Sequence, residues 1–350
     1  MSAVVAPSKD IPFFWREWPL ESCFGFGFGF AGARPGNVLQ ASPVFAEIWR
    51  SIRPTVGPCA EPHYNIPTVE VLFIVAVVLV IWVAIRIQPL IGHAHIERLE
   101  RFHSSLAADR EKVVICLGDS LTQGNVSFDY VHALASRVEP WGYTVLNAGI
   151  NGELAWNLLQ RVDQVVSSDP AYVVLLVGTN DARGSENAKA AGRYLKDMKL
   201  PQAPDEDFFV ESYRQLLDAL ENSVSARVIV VTLPPMGEKS GEAIDGVVDR
   251  FNAFIEEEAR KRSLASIPYG RSLRESLLSD SFEDSPPYSA SSSNRLIFKA
   301  LLRRYLQGWR WDRIAENHRM KLLTDMIHLN ERAGAALVDL IEAEVRSEEG

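Results

Sequence analysis

Residues 113–124 read VVICLGDSLTQG, and this stretch decides how the chain folds and where its chemistry lies. Its first part, 113–117, is a short apolar run with β-branched residues, which predicts a buried strand. The following Gly118, Asp119 and Ser120 predict a sharp turn that leaves a hydroxyl group at the carboxyl end of the strand. Ligands bind at that end of the strands in open α/β sheets. Ser120 is therefore a candidate nucleophile.

A serine hydroxyl is a weak nucleophile, and it needs a base that is itself oriented by a third group. Among the seven histidines, His328 has an acid at helical-turn spacing in Asp325-Met326-Ile327-His328. Side chains three residues apart on one turn face the same way, so Asp325 can accept from one ring nitrogen and leave the other for Ser120. His318 has Ala315 at the equivalent position, which makes His328 the better candidate base.

Two further segments offer hydrogen-bond donors where a strand is expected to end. Residues 147–152, NAGING, follow the apolar run 143–146, and residues 178–181, GTND, follow the run 172–177. Glycine allows backbone N–H groups to approach a ligand closely, and an asparagine amide adds two donors. Such donors are what an acyl-transfer site needs to stabilise a developing oxyanion.

With these segments in the same order, the chain resembles the GDSL-type, or SGNH, family of serine esterases and lipases. The similarity covers roughly residues 112–345 and rests on four blocks: Gly118-Asp119-Ser120-Leu121, the Gly152 region, 178–181 and 325–328. The resemblance implies that Ser120 is the nucleophile, His328 the general base and Asp325 its orienting acid. It also implies an oxyanion hole made by the Ser120 N–H, the Gly152 N–H and the Asn180 amide.

The chain departs from the family pattern at two positions. Met326 stands between the acid and the base, where the family often has glycine, and Thr179 replaces one of two glycines before the asparagine. These changes leave the chemistry intact and the substrate open, and Met326 could narrow an acyl site. The structural alternatives are that Ser120 is a helix N-cap, that Asp325 caps a turn and that Asn180 satisfies loop backbone groups. The alternative for the whole protein is a membrane-tethered binding or scaffolding protein that keeps a catalytically inactive hydrolase fold.

Strand and helix patterns alternate regularly through the same region. Buried strands are predicted at 113–117, 143–147, 172–177, 227–232 and 264–268, and helices at 128–138, 154–166, 208–222, 244–263 and 331–346. Such alternation predicts a parallel sheet with helices on both faces. We therefore expect a three-layer α/β/α sandwich, and the resemblance implies a flavodoxin-like parallel five-stranded sheet.

The remaining chain divides by composition. Residues 1–65 are rich in proline, glycine and aromatics and predict a low-complexity, poorly ordered region. Residues 66–91 include a long uncharged apolar run and predict one transmembrane helix. An amphipathic linker is expected at 92–111, and the hydrolase domain at 112–350.

Within that domain, residues 273–323 are predicted to be an insertion. Its segment 289–311 has apolar residues at helical spacing beside arginines and tryptophans. Three interpretations remain open for this segment: a lid, a helix at a membrane surface, or a stripe packed on the core.

Composition excludes several classes of function. The net charge of −9 argues against general nucleic-acid binding, and three scattered cysteines do not form a disulfide framework. No zinc-site spacing and no phosphate-binding loop is present, and the pair His93 and His95 has no evident third ligand beside it. No cofactor and no metal are therefore expected. The expected partners are a small-molecule, lipid or acylated-glycan ester substrate and membrane lipid. The expected location is a membrane with a single span, with the side of the catalytic domain left open.

Overall fold

The computed structural model describes residues 68–91, 113–168, 170–223, 225–279 and 285–347. The low-complexity region predicted at 1–65 and the linker predicted at 92–111 lie outside the described residues.

Five parallel strands form one sheet in the order β2-β1-β3-β4-β5. The strands are β1 (Val113–Gly118), β2 (Thr144–Gly149), β3 (Tyr172–Leu176), β4 (Arg227–Val231) and β5 (Ala265–Ile267). All six residues of β1 are buried, as expected for a central strand covered on both faces. The predicted parallel five-stranded sheet is confirmed, and its order is that of flavodoxin-like folds.

Helices connect the strands and cover the sheet. They are α2 (Ser120–Gln123), α3 (Tyr130–Val138), α4 (Ala155–Leu159), α5 (Val162–Val166), α6 (Thr179–Gly184), α7 (Ala188–Asp197), α8 (Glu206–Ser223), α9 (Ala243–Arg262), α10 (Tyr269–Ser279), α11 (Ala290–Leu301), α12 (Trp311–Asn317) and α13 (Glu331–Arg346). The helix α1 (Thr68–Ile91) precedes all of them in the sequence. A 3-10 turn at Glu139–Trp141 and a π-helical turn at Leu302–Leu306 complete the set.

The predicted helices agree with this set except in detail. The helix expected at 154–166 is two short helices, α4 and α5, because the chain turns at residues 160–161. Helices α6, α7, α10 and α12 are not among the predicted helices, because each has at most 11 residues and offers only a short apolar period. The three-layer α/β/α arrangement is confirmed.

Two glycines let α2 sit directly over the ends of β1 and β2. A Cβ atom on Gly118 would lie 2.2 Å from Thr122 Oγ1 and 2.4 Å from the Leu176 carbonyl oxygen. A Cβ atom on Gly149 would lie 2.2 Å from the Gln123 backbone nitrogen. Any larger side chain would push α2 away from the strand ends, so these glycines fix where Ser120 stands.

The segment expected as an insertion is helical and packed. Ile297 and Leu301 of α11 are buried with Trp311 of α12 in a small apolar cluster that also includes Val126. The Tyr305 hydroxyl donates to the Asn125 carbonyl oxygen at 2.6 Å. The segment 289–311 thus packs on the loop that follows α2, as the stripe interpretation predicts, and the choice among the three interpretations stays a prediction.

Helix α1 occupies the segment predicted to span a membrane, 66–91. A span needs roughly 20 consecutive apolar residues. Within the part of the chain that the structure describes, no helix combines enough length with enough apolar character to cross a membrane. The transmembrane assignment of this helix is therefore not supported, and the membrane location of the chain stays a prediction.

Candidate active site

Ser120 is the first residue of α2, at the carboxyl end of the central strand β1. The residue that caps this helix is Asp119, whose side chain accepts a hydrogen bond from the Leu121 backbone N–H at 2.9 Å. The alternative that Ser120 is merely an N-cap is thus wrong, because the preceding residue has that role. Gly124 ends the helix with φ +77°, so the strand, turn and helix are confined to a few residues.

The structure brings together the three residues predicted from the sequence as a nucleophile, a base and an acid. Ser120 Oγ lies 2.9 Å from His328 Nε2, and His328 Nδ1 lies 2.9 Å from Asp325 Oδ2. Asp325 is fully buried and His328 is 5% exposed. The contact to Asp325 favours the tautomer with the proton on Nδ1, which leaves Nε2 to accept from the Ser120 hydroxyl.

His318, the weaker candidate base, contacts the loop that carries Asp325 and does not contact Ser120. Its Nδ1 is 2.6 Å from the Thr324 carbonyl oxygen, and its Nε2 contacts the Arg303 guanidinium. Both ring nitrogens are therefore occupied by contacts other than Ser120. Burial lowers the pKa of His318, with the Arg303 charge adding to this effect and the Thr324 contact opposing it.

Asp325 is held in place by hydrogen bonds from its own loop. Its Oδ1 accepts from the backbone N–H groups of Ile327 at 3.2 Å and His328 at 2.9 Å, and Oδ2 accepts from Thr324 Oγ1 at 3.1 Å. Between the acid and the base, Met326 has φ +78° and is buried in the main core at 2% exposure. Met326 therefore packs in the core, and its side chain does not have the predicted role of narrowing an acyl site.

Glu238 holds the start of this loop. Its carboxylate accepts from the backbone N–H groups of Lys321, Leu322 and Leu323, each at 2.7 Å. Burial raises the pKa of Glu238, although these hydrogen bonds work in the opposite direction. No local signal in the sequence marks Glu238, because its partners are 83 to 85 residues away.

Asn180, expected to supply an oxyanion donor, is the second residue of α6 at the end of β3. Its Nδ2 donates to the Glu153 carbonyl oxygen at 3.0 Å and to Asp119 Oδ2 at 3.3 Å. Gly152 precedes Glu153 in a tight turn and has φ +81°, a conformation that favours glycine. Asn180 therefore contacts both a chain neighbour of Gly152 and a chain neighbour of Ser120, so the three segments meet.

A tyrosine fixes the orientation of the Asn180 amide. The Tyr194 hydroxyl donates to Asn180 Oδ1 at 2.9 Å, and Tyr194 is buried on α7. With Oδ1 occupied as an acceptor, Nδ2 faces the turn that contains Gly152. Tyr194 was missed by sequence reasoning because α7 was not predicted.

Two buried carboxyl groups lie beside these donors. Burial raises the pKa of Asp119 to about 7, while the hydrogen bond from the Leu121 N–H opposes the rise. Burial also raises the pKa of Asp181 to about 8. The hydrogen bond that the Ala155 backbone N–H donates to Asp181 Oδ2, 3.2 Å long, opposes this rise. Both acids bind a proton far more readily than exposed carboxyl groups do.

The described residues contain no group of three or more His, Cys, Asp or Glu side chains arranged to hold a metal ion. The chemistry that this arrangement can perform is that of its own side chains: a hydroxyl held by an imidazole, an imidazole held by a carboxylate, and amide donors next to the hydroxyl. That set is sufficient for nucleophilic acyl transfer.

A family model described as GDSL-like lipase/acylhydrolase matches residues 116–336. This range contains Ser120, Gly152, Asn180, Asp325 and His328. No curated protein matches the sequence.

Several solved structures are similar over most of their own length. One is an acetyl xylan esterase with 21% identity, covering 67% of this chain and 99% of its own at a TM-score of 0.46. A GDSL-like lipase from Bacteroides thetaiotaomicron has 17% identity, covering 72% and 97% at 0.45. An acetylxylan esterase from Geobacillus stearothermophilus has 16% identity, covering 67% and 94% at 0.45.

Proposed function

The chain belongs to the GDSL-like lipase/acylhydrolase family and is a carboxylic ester hydrolase, and we propose that it cleaves esters through Ser120, His328 and Asp325. The observation that carries this proposal is the continuous set of contacts from Ser120 Oγ to His328 Nε2 and from His328 Nδ1 to Asp325, each 2.9 Å long. These distances are within the range at which a base can take a proton from a nucleophile.

In the proposed reaction, Ser120 Oγ attacks the ester carbonyl carbon while His328 Nε2 takes the hydroxyl proton. The tetrahedral intermediate collapses, the carbon–oxygen bond to the alcohol breaks, and His328 returns the proton to the leaving oxygen. Water then attacks the acyl-enzyme, with His328 again accepting a proton, and releases the acid. Asp325 stabilises the imidazolium that forms in each step, since its carboxylate contacts Nδ1.

The oxyanion would rest on the N–H groups of Ser120 and Gly152 and on the Asn180 amide. Asn180 Nδ2 has two hydrogens and contacts two acceptors, Glu153 O at 3.0 Å and Asp119 Oδ2 at 3.3 Å. To bind Asn180 Nδ2, an oxyanion must therefore displace one of these acceptors, and the longer hydrogen bond, to Asp119 Oδ2, is the weaker one. Loss of one such donor typically lowers kcat by about 100- to 1,000-fold, which is the effect expected for Asn180→Ala.

The substrate is an ester of a small molecule, a lipid or an acylated glycan, with an acyl group between acetyl and a long chain. The family supports ester chemistry without selecting among these. The test is hydrolysis of p-nitrophenyl esters from acetyl to palmitoyl by the full chain, and the chain-length optimum separates acetylesterase from lipase-like use.

The essential comparison is Ser120→Ala against Ser136→Ala, which removes the hydroxyl of an exposed serine on α3. We expect Ser120→Ala to abolish hydrolysis and labelling by a fluorophosphonate, and Ser136→Ala to retain both. A folded wild-type chain that neither hydrolyses any ester nor labels would contradict the proposal and favour a binding protein with an inactive hydrolase fold.

A further inference from the structure

Arg183 is a buried cation next to the candidate oxyanion donor. It lies three residues after Asn180 on α6, so the two side chains share one face of that helix. Only 7% of Arg183 is exposed. Arginine is almost never buried to this extent without a partner of opposite charge, because removing a cation from water is costly.

The hydrogen-bond partner of this guanidinium is neutral. Arg183 Nη2 donates to Asn294 Oδ1 of α11 at 3.1 Å. The Tyr288 hydroxyl lies beside the guanidinium and is likewise a neutral group. Among the residues that the structure describes, no carboxylate lies within the 4.0 Å limit of an ion pair with Arg183. The buried positive charge is therefore left without a direct counter-ion.

The anions that act on Arg183 from a distance are already used or exposed. Asp325 interacts electrostatically with the guanidinium, but its oxygens contact His328 Nδ1. Glu186 also interacts electrostatically with it and lies at the surface. The guanidinium thus lies between the candidate catalytic residues and the packed segment that carries Tyr288 and Asn294.

We propose that Arg183 is an anion-binding subsite, and that the natural substrate is an ester carrying a carboxylate or similar anionic group near the scissile bond. The inference rests on the proposed function of Ser120 and His328 and adds the chemical class of the substrate. A guanidinium has five N–H donors in a planar fork that matches a carboxylate in two parallel hydrogen bonds. Asn294 accepts from one nitrogen and leaves further donors for such a group.

The test compares anionic and neutral substrates of the same shape. In the first arm, the anion is on the acyl part: the 4-nitrophenyl monoester of succinate is compared with 4-nitrophenyl 4-methylpentanoate. In the second arm, the anion is on the alcohol part: 4-acetoxybenzoate is compared with its methyl ester. Hydrolysis by Ser120→Ala is subtracted in each case, since these esters also react with water alone.

The measured quantity is the kcat/KM of the anionic ester divided by the kcat/KM of the neutral ester. For the wild-type chain we expect this ratio to be about 10 to 100 in one of the two arms, the range typical of a hydrogen bond to a charged group. Arg183→Gln should bring this ratio close to 1. Arg183→Lys should retain part of it, because the charge remains while the planar fork is lost. Arg250→Gln removes an exposed arginine that pairs with Glu206, and it should leave the ratio unchanged.

Two results would overturn the inference. One is a wild-type ratio at or below 1 in both arms, a measurement that does not depend on any variant folding. The other is a high ratio that Arg183→Gln preserves in a folded chain. Either result, with Ser120-dependent hydrolysis of the neutral esters intact, would remove the anion subsite while leaving the ester hydrolase in place.

Discussion

Met326 provides a sharp test of how this active-site loop is stabilised. It has φ +78°, in the left-handed region where glycine is free of strain, and the family often has glycine at this position. Met326→Gly therefore relieves the backbone. The same change also removes a side chain that is 98% buried in the main core.

The two effects differ in size. Relief of a left-handed residue is worth about 1–2 kcal/mol. Loss of a buried methionine side chain typically costs about 2–5 kcal/mol, and the extra freedom of glycine in the unfolded chain adds about 0.5–1 kcal/mol. The loss of packing is larger than the relief of the backbone, and we expect Met326→Gly to lower the free energy of unfolding by about 3 kcal/mol.

The assay is urea denaturation of the full chain followed by far-UV circular dichroism. Ser263→Gly is the matched control, because Ser263 has φ +58° at the end of α9 and an exposed side chain with little packing to lose. It should be as stable as the wild type or more stable by up to about 1 kcal/mol. If Met326→Gly behaved like Ser263→Gly, the argument that core packing compensates the strained backbone would be refuted.

Three further predictions concern groups around the site. The pKa of Asp181, raised by burial from 3.8 to about 8, means that the folded chain binds a proton that the unfolded chain has lost. The free energy of unfolding should therefore fall as pH rises from 4 to 8. In urea titrations at pH 5 and pH 8, this fall should be smaller for Asp181→Asn than for the wild type. An equal fall in both proteins would count against this linkage. Glu238→Gln should reduce kcat/KM by about tenfold or more, because the Glu238 carboxylate accepts hydrogen bonds from three backbone N–H groups. Ser285→Ala loses only one 3.3 Å hydrogen bond to Glu238, and it should reduce kcat/KM less. Tyr194→Phe should lower kcat by about two- to tenfold with little change in KM in steady-state assays, since the hydroxyl orients the Asn180 amide; an effect confined to KM would contradict a positioning role.

The sequence predicts the sheet well because its signals are local. A strand such as β1 consists of adjacent apolar residues, and each of its residues is buried on a covered sheet, so composition over a few positions suffices. The acid and base of the candidate site were also found from short spacing, since Asp325 and His328 are three residues apart on one loop. The expectation of a membrane span rested on composition alone, and the structure does not support it.

The groups that sequence reasoning missed act across long separations. Glu238 contacts backbone N–H groups more than 80 residues away, Arg183 contacts Asn294 at a separation of 111 residues, and Tyr194 reaches Asn180 from a separate helix. None of them lies within a recognisable motif, because each side chain is selected by what the packed helices place beside it. The left-handed conformation of Met326 was likewise hidden, since its sequence neighbours do not reveal that its side chain enters the core.

By itself, the sequence determined the five strands, the long helices between them, the parallel sheet and the candidate nucleophile, base and acid, because periodicity and short motifs depend on neighbours in the chain. Only the tertiary structure decided that Ser120 and His328, 208 residues apart, lie 2.9 Å from each other. It also decided which buried charges have counter-ions. Such contacts depend on how whole elements pack, and the free energy of packing is shared among residues that are distant in sequence.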